Sequence, residues 1–434
     1  MNTKNYPRIL VIGAAPLNPI NATGITQTNL FNGWPLDRIA QIYDSDLEPS
    51  SDCCNIYVRF SARGGNLYGL IKKGVSFFRV NENNKKKSNI YAQKNRVRDN
   101  VVVYDAFSAY ADILPYKIPR KIIAWVRNFQ PDLIYSSLGN VRMIELVLKL
   151  AKIQAVPVVP HFLDDWPSTL YLGKAQMAIP RYVLRSRLNA LMNLAPMGLT
   201  ISDDMALEYE ERYHKKFISF MNCVDISFKY QHRMDCAGCA IAFGFVGGLH
   251  LHRYQYLLDV VTALQRLKDV GASVEVSILV PIRDREMHVG VFSRYSVVKC
   301  FSTVRPEDVQ DALSSFDVLI HVESFLKSDS LYTSLSISTK IPQYMAAGRP
   351  ILAYGPCNLS SIKYISQARA GTAVCQEGGV ADLMRAASDL ISSEDMRNRL
   401  GRNGQRVARK NHAAKNVRQK FLEVMSRIST GSVD

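Results

Sequence analysis

The run Ser336-Ile337-Ser338-Thr339-Lys340-Ile341-Pro342-Gln343 sets small hydroxyl residues directly before a helical pattern that continues to Ala347. The first backbone N–H groups of a helix have no intrahelical partner and sit at the positive end of its dipole, so this start suits a diphosphate, with Lys340 adding a positive charge at the rim. Gly348-Arg349-Pro350 then ends the helix and opens a strand; on pattern alone the same letters also make an ordinary helix, turn and strand. A second group, Val158-Val159-Pro160-His161-Phe162-Leu163-Asp164-Asp165-Trp166, is a strand running straight into polar residues. Asp164 and Asp165 either orient ligand hydroxyls or cap the following turn, and a histidine at a strand end, such as His161, also serves as a structural hydrogen-bonder. In the loop 16–26, ending at Thr26, Gly24 stands alone. Neither a dinucleotide fingerprint nor a P-loop lysine surrounds it, so the lone glycine does not mark a phosphate loop. Cys236 and Cys239 form a Cys-x-x-Cys pair, but zinc needs two further ligands at matching spacing that the chain does not offer, and both read as inert thiols in a linker. Asp164-Asp165 and Asp203-Asp204 are adjacent pairs, and no metal is expected.

The elements that must position these groups alternate between strand and helix, the pattern of a parallel sheet covered on both faces. In the first half, strands are expected at 8–13, 101–104, from 131, at 157–160, 199–202 and 217–221, with helices at 119–128, 141–153 and 203–213, the last capped by Ser202. Periodicity fails between 225 and 240. The second half restarts with a strand at 241–246 and a Gly247-Gly248 turn, then alternates through helices at 256–268, 306–314 and 340–347 and strands at 274–280, 317–321 and 350–354. The expected architecture is α/β: two Rossmann-like, doubly wound parallel-sheet domains facing across a cleft. Their expected limits are 1–226 and 241–405, joined by a linker at 227–240 and followed by a C-terminal helix, 406–434, that packs back on the first domain. The lysine-rich segment 83–98 reads as a loop.

Bulk properties agree with two domains. A single core stops growing near roughly 250–300 residues, and this chain has 434, with 47% hydrophobic and 21% charged residues. The apolar stretch 141–159 is broken by Arg142, Glu145, Lys149 and Lys152, so no segment reads as a bilayer span. The apolar run after Lys4 and Arg8 reads as a first strand, not a secretory signal. The eight cysteines lack a disulfide-rich spacing, which suits a reducing cytoplasm. The net charge of +16 gathers in two blocks: residues 59–98, with Glu82 the lone opposing carboxylate, and Arg402, Arg406, Arg409, Lys410, Lys415, Arg418 and Lys420. Such blocks attract anionic surfaces or simply keep a face solvated.

The run 338–353 resembles the C-domain signature of the glycosyltransferase family 4 group, in which a Ser-Lys loop precedes a Glu-Tyr-Leu-Ala-Ala-Gly-Lys-Pro helix and turn. Phe243-Gly244-Phe245-Val246-Gly247-Gly248-Leu249 resembles the first strand and turn of that domain, and 317–324 its strand ending in a serine. Thr200-Ile201-Ser202 and Asn222-Cys223-Val224-Asp225 resemble landmarks that close the N-terminal domain. The resemblance covers most of the chain and is weakest from 45 to 100. It implies the GT-B fold and transfer of a sugar from a nucleoside diphosphate-sugar, with retention of configuration, no metal and no cofactor. It puts Arg253 at the family's diphosphate lysine and Gly248 at its arginine, so one cation is missing. Gln343 takes the second position of the family's glutamate pair and Leu335 the first. His161 falls at the sugar end of the cleft, Arg253, Lys340, Gly247, Gly248, Ser338, Thr339 and Gln343 fall on the donor, and Gly24, Thr26, Asp164 and Asp165 fall on the acceptor side. The implied partners are the nucleotide-sugar donor and a saccharide or polyprenyl-linked acceptor in surface-polysaccharide biosynthesis; the cation blocks add an anionic membrane surface, with the protein at the membrane's inner face. Rival readings are a degenerate scaffold, a sugar-nucleotide epimerase and a basic nucleic-acid-binding protein, the last without a recognisable reading module.

Overall fold

The computed structural model describes residues 6–60, 106, 108–173, 175–226 and 239–432. The strand expected at 101–104, the loop 83–98, all but Arg59 of the first cation block, most of the linker and Cys236 lie outside these residues.

Thirteen described strands form two sheets. In the first, β1 (Ile9–Gly13), β2 (Ile39–Tyr43), β3 (Tyr57–Arg59), β4 (Leu133–Ser137), β5 (Val158–Phe162), β6 (Gly198–Thr200) and β7 (Phe217–Ser219) run parallel in the order β3-β2-β1-β4-β5-β6-β7. In the second, β8 (Ile241–Val246), β9 (Val274–Leu279), β10 (Val298–Ser302), β11 (Val318–Val322), β12 (Ile351–Tyr354) and β13 (Gly371–Val374) are parallel in the order β10-β9-β8-β11-β12-β13. Each sheet is apolar on both faces because helices cover both, and each face has its own cluster of buried side chains. Strand order reverses beside β1 and β8, and ligands of open parallel sheets bind outside the carboxyl ends of strands at such points.

Strand β2 was missed in the sequence because Gln41 interrupts an otherwise apolar IAQIY. The structure gives the reason for that glutamine: wholly buried, it accepts from Leu17 N at 2.9 Å and donates to Ala15 O at 3.1 Å, fixing the loop that leaves β1.

The chain returns to the first sheet at its end. Val224 and Ala413 form a bridge, and the helix Ala414–Ser429 then lays Phe421, Met425 and Ile428 on the first sheet's outer face. Residue 406, where a separate C-terminal helix was expected to begin, lies inside the helix Glu394–Asn411. Phe421 is fully buried, edge-on to Phe31 at 5.1 Å and Phe220 at 5.3 Å. Phe421→Ala should therefore cost about 3–5 kcal/mol of folding stability, as for other buried phenylalanines, measurable by urea denaturation.

The expectation of unpaired cysteines is corrected. Cys357 and Cys375 form a disulfide with Cα atoms 5.2 Å apart, since parallel pairing of Tyr354 with Val374 brings the loops leaving β12 and β13 together. Cys239 is also disulfide-bonded, not an inert thiol. Among the described residues no helix is long and apolar enough to cross a membrane.

Candidate functional site

A cleft of about 620 Å³ opens between the carboxyl ends of the two sheets. One wall carries Ala14 and Ala15 after β1, Thr23 and Thr26 from the helix Ala22–Phe31, Asp44 after β2 and Asp164 after β5; the other carries His250, Arg253, Glu323 and 336–340.

On the first wall, Asn21 caps the helix by accepting from Gly24 N at 2.8 Å. A side chain on Gly24 would overlap the Asn18 carbonyl oxygen, so only glycine lets the loop fold this tightly over the cleft. Thr26 is wholly buried, and its hydroxyl has no partner among the described residues.

Asp164 stands at the centre of the cleft. It accepts from Ser336 Oγ at 3.0 Å and Tyr332 OH at 3.2 Å, both from the second half of the chain. Burial pushes its carboxyl up to about 6, against the lowering effect of those two hydroxyls. The native state thus favours protonated Asp164, a contribution present below the ordinary 3.8 and lost as pH rises through about 6. Asp164→Asn should accordingly melt no lower than wild type at pH 8 and lose that advantage at pH 4; a variant several degrees less stable at pH 8 would contradict this. Asp165 does other work, since it is buried against Arg212 Nη1 at 2.9 Å and Tyr209 OH at 2.7 Å, anchoring the helix Asp203–Tyr213.

The opposite wall begins with Gly247, whose φ of +140° is open to glycine, and where a Cβ would meet Lys340 Nζ at 2.5 Å. Lys340 opens the helix Lys340–Ala346 with its ammonium 4.6 Å from the Phe245 ring centre. Burial, reinforced by the charge of Arg253 and opposed by Glu323 and Asp284, pushes its amine down to about 7. Arg253, the first residue of the helix Arg253–Asp269, is buried. Its Nε and Nη2 donate to Glu323 Oε2 at 3.2 and 2.8 Å, while Nη1 lies 3.0 Å from His250 Nε2. Burial alone would raise the Glu323 carboxyl, yet Arg253 and then His321, whose Nε2 is 3.1 Å from Oε1, hold it well below the usual carboxylate range. Ser338 N donates to Ser361 Oγ at 3.0 Å, and Thr339 O accepts from Asn222 Nδ2 at 2.9 Å, tying this loop to the first half.

Of the expected residues, Gly24, Asp165, Gly247 and Gly248 lie outside the cleft lining, and two more stand farther apart. His161 is 1% exposed and does not line the cleft: it meets Tyr135 OH at 2.6 Å on the face covered by the C-terminal helix, and burial pushes its imidazole down to about 4. Gln343 lies a turn along its helix, outside the cleft lining. Gly248 sits beneath the His250 ring. Sequence reasoning passed over Glu323, His250, Tyr332 and Ser361. It also passed over Asp44-Ser45-Asp46, an Asp-x-Asp whose Asp44 and Ser45 line the cleft while Asp46 pairs with Arg59. Among the described residues no group of three or more His, Cys, Asp or Glu is arranged to hold a metal.

A second cavity of about 450 Å³ adjoins the cleft on the side of the first sheet. Asp164, Leu163 and Tyr332 border both, and Trp166, Tyr171, Ser137 and Thr169 complete much of its lining.

No protein-family model matches the chain, and no curated protein sequence matches it. Solved structures do. Anabaena HepE in complex with UDP and glucose is similar at a TM-score of 0.63 and 13% identity, over 97% of this chain and 100% of that one. A glycosyltransferase from Rickettsia africae gives 0.61 and 10%, over 98% and 99%. WaaG, a glycosyltransferase involved in lipopolysaccharide biosynthesis, gives 0.55 and 11%, over 98% and 100%. With two parallel sheets of seven and six strands wrapped in helices, this chain has the GT-B fold of those glycosyltransferase structures.

Proposed function

We propose that the chain is a glycosyltransferase that moves a sugar from a nucleoside diphosphate-sugar to a saccharide or lipid-linked saccharide. The observation that carries this reading is the convergence of Lys340, Arg253 and the Ser338-Thr339 loop on one wall of the cleft, with Asp164 opposite. The donor diphosphate fits the cationic wall, in the half 241–405, and the UDP complex of the similarly folded HepE supports a nucleotide donor. The acceptor fits the adjoining cavity in the half 1–226, where rings and hydroxyls suit a sugar. As the bond from the sugar to the diphosphate breaks, Lys340, Arg253 and nearby backbone N–H groups stabilise the leaving charge in place of a metal, and the resemblance to the glycosyltransferase family 4 group supports transfer with retention. Incubating the protein with nucleotide sugars and saccharide acceptors, with and without EDTA, and reading the product's anomeric proton by NMR tests each part. Inverted product, or activity abolished by EDTA and restored by manganese, overturns the mechanism; no product with any pair overturns the function.

We place the enzyme at the inner face of a membrane, acting on a lipid-linked precursor of surface polysaccharide. Exposed Arg402, Arg406, Arg409, Lys410, Lys415 and Lys420 support this, each worth about 1 kcal/mol beside an anionic surface. Co-sedimentation with anionic but not neutral liposomes, lost at high salt, is the expected result; equal binding to both, or to neither, overturns it.

A further inference from the structure

His250 lies on the cleft wall in the loop between β8 and the helix Arg253–Asp269. Arg253 Nη1 is 3.0 Å from its Nε2, and a guanidinium can only donate. Nε2 therefore carries the lone pair, and the ring's single proton sits on Nδ1. A second proton would set N–H against N–H, and burial, followed by the charges of Arg253 and Lys340, pushes the imidazole down to about 4. The ring is neutral at physiological pH. Its Nδ1 edge covers Gly248: a Cβ there would meet Nδ1 at 2.7 Å, Cε1 at 3.2 Å and Asp284 Oδ2, which already accepts from Leu249 N, at 3.6 Å. Among the described residues no hydrogen bond to Nδ1 is formed.

The backbone holds this arrangement at a cost. Leu251 and His252 both adopt left-handed φ, +55° and +54°, which non-glycine residues keep only where surroundings over-determine them, commonly at ligand clamps. Two carboxylates do so here, with Leu249 N donating to Asp284 Oδ2 at 2.7 Å and His252 Nδ1 lying 2.8 Å from Asp329 Oδ2. Arg253 meanwhile has its charge balanced in place by Glu323.

We propose that His250 is a neutral hydrogen-bond donor to the nucleoside diphosphate, presenting Nδ1–H from the space above Gly248 while Arg253 fixes its tautomer. The assignment rests on the donor reading above and deepens it: beside Lys340 and Arg253, the wall offers its anion one uncharged N–H.

Calorimetric titration with UDP, repeated with GDP and ADP, tests it on wild type, His250→Ala, His250→Gln, Gly248→Arg and the double variant Gly248→Arg/His250→Ala. His250→Ala should weaken binding roughly tenfold or more, as for loss of a hydrogen bond to a charged oxygen. His250→Gln, whose amide still offers N–H, should stay within about threefold. Gly248→Arg alone should weaken binding because its side chain collides with the ring, while the double variant should bind at least as tightly as wild type, the arginine filling the vacated space. In ¹⁵N-histidine NMR the His250 Nδ1–H resonance should move downfield on adding UDP. Wild-type binding that His250→Ala leaves unaltered, or an Nδ1–H resonance that UDP does not move, overturns the assignment alone. Absence of binding by wild type to all three nucleotides overturns the donor reading and this assignment with it.

Discussion

Replacing Arg253 by alanine should lower folding stability by about 3–5 kcal/mol, the usual result of removing one partner from a buried ion pair. Glu323 is 2% exposed, and without the guanidinium its carboxylate keeps only His321 beside it, whose imidazole burial pushes down. The pH dependence has a definite sign. Glu323 titrates below its ordinary 4.5 in the native protein, so its contribution is present above that value and is lost on acidification below it. In Arg253→Ala that contribution is gone, the carboxyl is raised by burial, and the deficit against wild type should shrink as pH falls towards 5. Urea denaturation at pH 8 and pH 5 measures both. The double variant Arg253→Ala/Glu323→Ala should recover much of the stability, because no uncompensated charge remains, while nucleotide affinity stays low. A double variant as unstable as the single one would mean that Arg253 acts through packing and not through its pairing with Glu323.

Lys340→Ala should lower the rate of sugar transfer by about 10²–10³, the range seen when a group aimed at developing transition-state charge is removed. Lys340 also makes binding pH-dependent. With its amine pushed down to about 7, it is largely neutral at pH 8, and an incoming diphosphate favours the charged form. Binding at pH 8 should therefore take up a proton, seen as a dependence of the calorimetric heat on the buffer's ionisation enthalpy, whereas binding at pH 6 should not. Above pH 7 affinity should fall by up to about tenfold per pH unit until the amine of the bound state also titrates. Lys340→Arg, charged at every working pH, should abolish the proton uptake. An uptake that persists in Lys340→Arg would assign the titrating group elsewhere.

The parts of this account that could be read in the sequence are those carried by local pattern. Strand and helix alternate with periods a short window detects, so two parallel sheets followed directly, and Gly247-Gly248 and Ser338-Thr339-Lys340 announced turns and a helix start through residue types alone. Glu323 was invisible for a different reason. It follows five apolar-dominated strand residues, and its partner is Arg253, 70 positions away, so nothing local distinguishes it from a solvent-facing carboxylate at a strand end. His161 shows the converse: the side of the first sheet on which a strand-end histidine falls depends on where the C-terminal helix returns, and no window around residue 161 contains Phe421. Asp164 and Asp165 are adjacent and alike in sequence, yet successive side chains diverge, one into the cleft and one onto Arg212. Gln41 weakened the signal of β2 because its amide holds the loop after β1, an instance of a local pattern broken where a site is being built.

The central claim is that the cationic wall receives the diphosphate of a sugar donor. Calorimetric titration of the protein with UDP-, GDP- and ADP-sugars, alongside single- and double-stranded DNA at the same salt concentration, tests it most directly. The account predicts saturable binding of at least one nucleotide sugar, competed by the matching nucleoside diphosphate and lost in Lys340→Ala. Binding of DNA in preference to every nucleotide sugar, or nucleotide-sugar binding that Lys340→Ala leaves intact, would contradict it.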